Sequence, residues 1–417
     1  MVDIRPFRAY IPTPDQALQV AALPYDVMSV SEGKELVKNN PISFLRVEKS
    51  SIDFPLEHDE HSLAVHQKAK QNLDSLIQQK ILTKSSSPCF YLYQQIMGKI
   101  KQIGIVAAAS IQEYENKTIK KHELTREDKE IDRTQHVEIT NANTGAVFLT
   151  YRNHETIDSL VAKLIAGTPY LDFKTDDDIR HTLWVISEKN DVEKISSEFK
   201  NVSCLYIADG HHRAAAAAGV YNSKKSKNKS HTGNEAYSFF LAVLFPDNQV
   251  NVMDYNRALK TMNGLTREAL IEKLKEKFEV SLVIVSNPEE AKPKQRSYFT
   301  MYVEGVWYHL KTKPEFIPKN APINSLDVSI LQNEILAPLF GIKNPRNDAN
   351  IEFIGGIRGM RELVKRCKED CKIGFALHPT GVDQLMEIAD ADEIMPPKST
   401  WFEPKLRSGV IVRLLED

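Results

Sequence analysis

The stretch CLYIADGHHRAAAAAGVY, Cys204 to Tyr221, places one acid, Asp209, and three basic or potentially basic side chains, His211, His212 and Arg213, around a single glycine. CLYIA has the apolar run of a buried strand, Asp-Gly is a tight turn, and the alanines that follow favour a helix. That order puts Asp209 at the carboxyl end of a strand and His211, His212 and Arg213 in the first turn of a helix. Unpaired backbone N–H groups and the positive end of the helix dipole attract anions there, and histidine and arginine add charge-assisted donors. Cations in a first turn oppose the dipole by ~0.3–1 kcal/mol each, so this helix start calls for a compensating anion. Three readings follow: a phosphate cradle, a divalent-metal site, or a cap satisfied by the protein itself. Placement favours the first. Neighbouring helical histidines diverge by about 100°, which weighs against their ligating one ion together, and Asp209 remains as a metal ligand. Ala214 to Ala218 supply helix propensity and close packing, and no chemistry.

A second constellation is KKHELTREDKEIDRTQH, residues 120–136. If Thr118 to Asn141 is helical, His122, Arg126, Lys129 and Arg133 fall at i, i+4, i+7 and i+11 and form one basic stripe, beside an acidic stripe of Glu123, Glu127 and Glu130. Such a face suits a polyphosphate, or is simply solvated and laced with ion pairs of ~0.2–0.5 kcal/mol. Weaker signals come from three places. LPYDVMS offers Tyr25 and Asp26 after a proline turn, as an Asx-capped turn or part of a pocket. FIGGIRGM sets Arg358 in a glycine-rich strand-to-helix turn without the Lys-Ser/Thr of a P-loop. MPPKSTWFEPKLRSG gathers Lys398, Ser399, Thr400, Lys405 and Arg407 among prolines and Trp401, as one wall of an anion pocket or as a structured surface tail. GxGxxG, Walker A, GxSxG and HExxH signatures are absent, which argues against nucleotide kinases of the common folds.

The elements that must hold these residues read as a mixed α/β chain. At 417 residues it is long enough for two or three substructures. We expect an N-terminal region over 1–115, a central region over 116–235 carrying both main motifs, and a C-terminal region over 236–417. SFLRVEK reads as a strand, 61–81 as an amphipathic helix, FYLYQQIM and KQIGIVAAASI as a hairpin turning at Gly98, and 147–221 as alternating strand and helix. Residues 222–236, polar and rich in Lys, Ser and Asn, read as a mobile surface loop. YSFFLAVLFP and QVNVMDYNRAL read as paired strands, and RSYFTMYVEGVWYHLKTK as a hairpin turning at Glu304-Gly305. Lys plus Arg number 54 against 56 Asp plus Glu, for a net charge of −2. That balance does not favour a nucleic-acid partner. The 4 cysteines lack metal or disulfide spacing, and no segment resembles a signal peptide or membrane span, so a soluble cytoplasmic protein is expected.

IADGHHRAAAA, HELTREDKEIDR, NANTGAVFLTY, FIGGI and IMPPKSTWFEPKLRSG occur in the order found in a family formerly classed as a domain of unknown function, and the chain resembles its pyrophosphate-dependent serine kinases from end to end. The resemblance implies a ParB/sulfiredoxin-like core with additional α/β elements, distantly related to ADP-dependent serine kinases. It also implies phosphoryl transfer from inorganic pyrophosphate to the hydroxyl of L-serine, giving O-phospho-L-serine and phosphate, with Mg²⁺. Carried onto this chain, His211, His212 and Arg213 hold one phosphate of pyrophosphate, and His122, Arg126, Lys129 and Arg133 hold the other. Lys398 and Thr400 close the pocket, and Tyr25, Asp26 and Arg358 are further pocket candidates. Asp209 orients or deprotonates the serine hydroxyl or binds Mg²⁺, with Glu123 as the second choice of base. The rival readings are an ADP- or ATP-dependent small-molecule kinase on the same fold and a ParB-like nucleotide-binding switch associated with nucleic acid.

Overall fold

The computed structural model describes residues 1–319 and 321–416. Runs of alternating or continuous β-branched and aromatic residues become strands, and among the described residues nine of them form one mixed sheet: β1 (Ile4–Arg5), β2 (Phe90–Met97), β3 (Ile100–Ser110), β4 (Ile119–Lys120), β5 (Val147–Tyr151), β6 (Leu171–Lys174), β7 (Ile179–Ile186), β8 (Leu205–Asp209) and β9 (Phe239–Pro246). Their spatial order is β4-β8-β5-β9-β3-β2-β7-β6, with β1 on β3. The β8–β4 and β9–β5 pairs are parallel, and the others are antiparallel. β2 and β3 form the hairpin expected at Gly98, whose φ of 57° is the left-handed turn conformation.

Helices cover this sheet. α1 (Leu45–Glu48), α2 (Leu63–Gln78), α3 (Glu127–Thr140), α4 (Glu155–Leu164), α5 (Lys189–Phe199) and α6 (His211–Lys227) belong to the same unit. Ala214, Ala217, Ala218 and Tyr221 of α6 pack in one core with Leu149, Ile207 and Leu244 of the sheet. On the other side of α6, a Cβ added at Gly219 would meet Thr134 Oγ1 of α3 at 3.1 Å. The small residues of α6 therefore admit both a sheet and a helix at short range.

Several expectations need correction. SFLRVEK is not a strand: Phe44, Leu45, Val47 and Glu48 are all buried, a pattern that alternation cannot give, and the segment forms α1. The helix expected over 118–141 begins only at Glu127; Ile119–Lys120 is instead drawn into the sheet as β4 beside β8. Residues 222–227 are the last turns of α6 and not a loop. YSFFLAVLFP and QVNVMDYNRAL join different sheets.

The chain divides into two compact units, residues 1–250 with 404–417 and residues 251–403. The first contains the nine-stranded sheet, which takes strands from both sides of the expected boundaries at 115 and 235. The second contains a six-stranded antiparallel sheet in the order 278–283, 306–312, 298–303, 373–377, 255–259, 351–355. Its hairpin turns at Glu304-Gly305 as expected. Val252–Met253 pairs with Trp401–Phe402, so this unit starts and ends on one short ribbon. Among the described residues no helix is long and apolar enough to cross a membrane.

Candidate active site

β8 ends where the sequence predicts, but with an irregularity that aims its last residue. The β8–β5 register pairs Ile207 with Leu149 and Asp209 with Phe148, so Ala208 is one residue extra. Such a bulge turns the strand's end away from the ladder and re-aims the side chain. Gly210 follows with φ 95°, a left-handed conformation that costs a residue with a Cβ, and α6 starts at His211 with no side-chain cap and no acid in its first turn.

Asp209 therefore sits at the mouth of a helix N-terminus. Its Oδ1 accepts the Gly210 N–H at 2.8 Å, and its Oδ2 accepts from Lys405 Nζ at 3.1 Å. Burial opposes its charge, yet Lys405 and Arg213 outweigh that, and the carboxyl is held well below the usual range. Arg213 folds back over the Gly210 turn, where an added Cβ would lie 3.3 Å from its Nε, and donates to the Ala146 carbonyl. The anion that the helix start calls for is thus partly supplied by the protein. Asp209, Asp26, Tyr25 and Glu48 all act on Arg213.

Arg133 of α3 faces the same group. It is fastened to Asp132, stacks on the Tyr25 ring at 4.2 Å, and donates through Nη1 to the Glu48 carbonyl at 3.3 Å. Burial opposes its charge, and Asp132, Tyr25 and Glu48 hold it. A small cavity lined by Tyr25, Glu48, Arg133, Gly145 and Arg213 lies between these side chains. Glu48 is only 4% exposed, and its Oε1 has no hydrogen-bond partner. A second cavity, lined by Lys49, Lys129, His66 and Asp132, shares Tyr25, Glu48 and Arg133 with the first. Two arginines and two lysines thus surround two buried carboxylates, Glu48 and the Arg133-paired Asp132, and one phenol. Such a grouping has the charge to hold a compact anion with a carboxylate beside it.

The expected basic stripe is not one helical face. His122 precedes α3, Arg126 is its exposed N-cap and pairs with Asp128 at 2.7 Å, and only Lys129 and Arg133 project from the helix. Arg126 also donates its backbone N–H to His212 Nε2 at 3.1 Å, so that nitrogen is an acceptor and not a donor for phosphate. His122 and His211 meet edge to face with ring centroids 4.5 Å apart. Burial drives the His122 imidazole down to about 4, despite the Ile207 backbone and Asp209, and burial followed by His122 drives His211 well below its usual range. Both are neutral at pH 7 and do not serve as cations. Glu123 lies with this pair.

In the second unit, an added Cβ at Gly355 would lie 2.6 Å from the Trp401 ring and one at Gly356 would lie 2.7 Å from the Asp254 carbonyl. The FIGGI glycines are packing residues there, and Arg358 after them is exposed. Lys398 is exposed with its ammonium 5.7 Å from the Tyr255 ring, and Thr400 is half-buried two residues on. Of the tail's other cations, Arg407 pairs with Asp177 and Lys405 reaches Asp209. Sequence reasoning missed Glu48 because its segment looked like a strand, and it placed Lys405 in a candidate anion-pocket wall without pairing it to Asp209, because nothing local links the tail to that residue. The Pro-rich clustering of cations was the one available signal.

The family described as a protein of unknown function (DUF1015) matches residues 4–329. The chain belongs to this family. Three solved structures resemble this DUF1015 member remotely. A free serine kinase in complex with AMP has a TM-score of 0.33 and 14% identity, covering 74% of this chain and 92% of that one. SbnI with C-terminal truncation from Staphylococcus aureus has a TM-score of 0.38 and 11% identity, covering 74% and 87%. A conserved hypothetical protein from Pyrococcus furiosus has a TM-score of 0.32 and 16% identity, covering 75% and 95%. No curated protein matches the chain.

Proposed function

We propose that this protein is a phosphotransferase that moves a phosphoryl group from inorganic pyrophosphate to the hydroxyl of L-serine, on the ParB/sulfiredoxin-like core that the sequence resemblance implies. The observation that carries the reading is the convergence of Arg133, Arg213 and Lys129 on the cavities that hold Glu48 and Tyr25, beside the uncapped N-terminus of α6. Pyrophosphate has no base or ribose to recognise, so cations and backbone N–H groups suffice to bind it. Phosphoryl transfer itself depends mainly on positioning and charge neutralisation.

Arg213 and the first N–H groups of α6 hold one phosphate, and Arg133 with Lys129 holds the other. The serine oxygen attacks the near phosphorus, the bridging P–O bond breaks, inorganic phosphate leaves, and the hydroxyl proton passes to a carboxylate. Asp209, fixed in its ionised form by Lys405 and Arg213, is a weak proton acceptor and acts by orienting the hydroxyl. Glu48, buried with one oxygen unpartnered, is the base. Each Asp209 oxygen already takes one protein donor, and Lys405 holds its charge, so the capacity left to Asp209 is used on the serine hydroxyl and not on Mg²⁺. Exposed Asp26, whose charge acts on Arg213, does fit, and Mg²⁺ bound there together with pyrophosphate oxygens would neutralise phosphate charge.

The test incubates the protein and Mg²⁺ with L-serine and each of pyrophosphate, ADP and ATP, and follows O-phosphoserine. Phosphoserine from pyrophosphate alone is the expected result. Product from ADP or ATP alone replaces the donor, and phosphate release without phosphoserine replaces the reaction with hydrolysis.

A further inference from the structure

We infer that His122, Glu123 and His211 form a binding site for one divalent transition-metal ion of the zinc type, distinct from the Mg²⁺ expected at the phosphates. The donor atoms of the three side chains all lie within 4.8 Å of one another. His122 is 2% and His211 7% exposed, and neither ring nitrogen of His122, nor Nε2 of His211, has a hydrogen-bond partner of normal geometry. A buried imidazole nitrogen without a partner costs ~1–3 kcal/mol; each of the two rings that meet here edge to face at 4.5 Å carries at least one, and the one polar contact on His122 is with the Ile207 backbone. Buried polar atoms left unpaired in this number mark a missing partner.

A metal ion supplies that partner. Neutral imidazole nitrogens and one carboxylate are the donor set of zinc, manganese and iron sites, whereas Mg²⁺ takes oxygen ligands. Zn²⁺ at its usual bond lengths would bring tetrahedral donors to about 3.3 Å from each other, a contraction that side-chain rotation can supply. Three protein ligands also leave a position open for water or a substrate oxygen.

Chain folding explains why the ligands meet although the two histidines of DGHHR diverge. β4 lies parallel to β8, so the residues that follow β4, His122 and Glu123, emerge beside the residue that opens α6, His211. The pair in the site is thus His122 with His211, not His211 with His212. The inference uses none of the side chains to which the proposed function gives phosphate binding or proton transfer, and its metal-binding readout is separate from phosphoserine formation.

The experiment strips the full-length protein with chelator and titrates it with Zn²⁺ and Co²⁺, counting bound metal after gel filtration and recording the visible spectrum of the Co²⁺ form. We expect one equivalent, a Co²⁺ spectrum of histidine and carboxylate ligation, and binding at least ~100-fold weaker in both His122→Ala and His211→Ala, beyond what loss of an outer-shell partner costs. His212→Ala should bind as the parent does. Imidazole NMR of the unsubstituted protein covers the case in which a variant does not fold: Zn²⁺ should shift two of its 12 histidines strongly. No stoichiometric binding by the folded parent, equal binding in the folded His122→Ala and His211→Ala variants, or no histidine shifts on Zn²⁺ addition would overturn the site.

Discussion

Glu48 and Asp209 are both carboxylates within reach of Arg213, and their surroundings give them different work. Asp209 is matched by Lys405, so Asp209→Asn leaves an ammonium without its carboxylate. That change should lower stability by roughly 1.5–3 kcal/mol, the worth of hydrogen bonds to charged groups, and should reduce phosphoserine formation as well. Glu48 has an oxygen that nothing in the protein occupies. Glu48→Gln keeps the volume and removes the base, so turnover should fall at least ~100-fold while the urea midpoint stays near that of the parent. Turnover that survives Glu48→Gln but not Asp209→Asn would return the base role to Asp209. The candidate-site residues legible in the sequence were those inside motifs, namely Asp209, Arg213, Lys129, Arg133, Tyr25 and Asp26. Glu48 was hidden because its role comes from packing between distant segments, which local pattern does not encode.

Among the elements, the junction of β8 and α6 does most to set the geometry. Gly210 holds φ 95°, and a Cβ there would lie 3.3–3.4 Å from the Arg213 guanidinium and 3.4 Å from the Val147 Cα. Gly210→Ala should therefore cost more than ~1 kcal/mol in urea unfolding, since the strained backbone adds to the crowding. It should also weaken pyrophosphate binding, because Arg213 is the group that must shift. A midpoint within error of the parent would show that the turn relaxes freely. This junction was readable from strand run, Asp-Gly and alanines because each local preference agrees with the fold. The segment 118–126 was not readable: its helical pattern is real, but the edge of β8 offers backbone partners, and that long-range pairing prevails over local propensity. The short α1 failed for a related reason, since four of five consecutive side chains are buried and no period can be recognised over so few residues.

Across the molecule, buried titratable groups give opposing pH dependences, and their windows differ. His66, His122, His136, His181 and His211 are buried in the first unit, and burial lowers all five, His122 to about 4 and His181 to about 3. Between pH 6.5 and those values the unfolded chain binds protons that the folded chain refuses, so stability falls as pH falls, by on the order of 3 kcal/mol for His122 alone. Burial raises Glu113 and Asp327 instead, each to about 7, and each keeps one carboxylate oxygen unpaired. For these two the folded state binds the extra proton, so their contribution is full below the unfolded carboxyl range and is lost as pH rises through about 7. Five histidines outweigh two acids below pH 6.5, and of these groups only the acids act above it. The thermal midpoint should therefore climb from pH 4 to about 6.5 and then decline through about pH 7.5. Glu113→Gln and Asp327→Asn, one in each compact unit, should each reduce that decline and leave the acid limb in place. A midpoint that keeps rising through pH 8 in the parent protein would mean that Glu113 and Asp327 ionise on folding as they do in water.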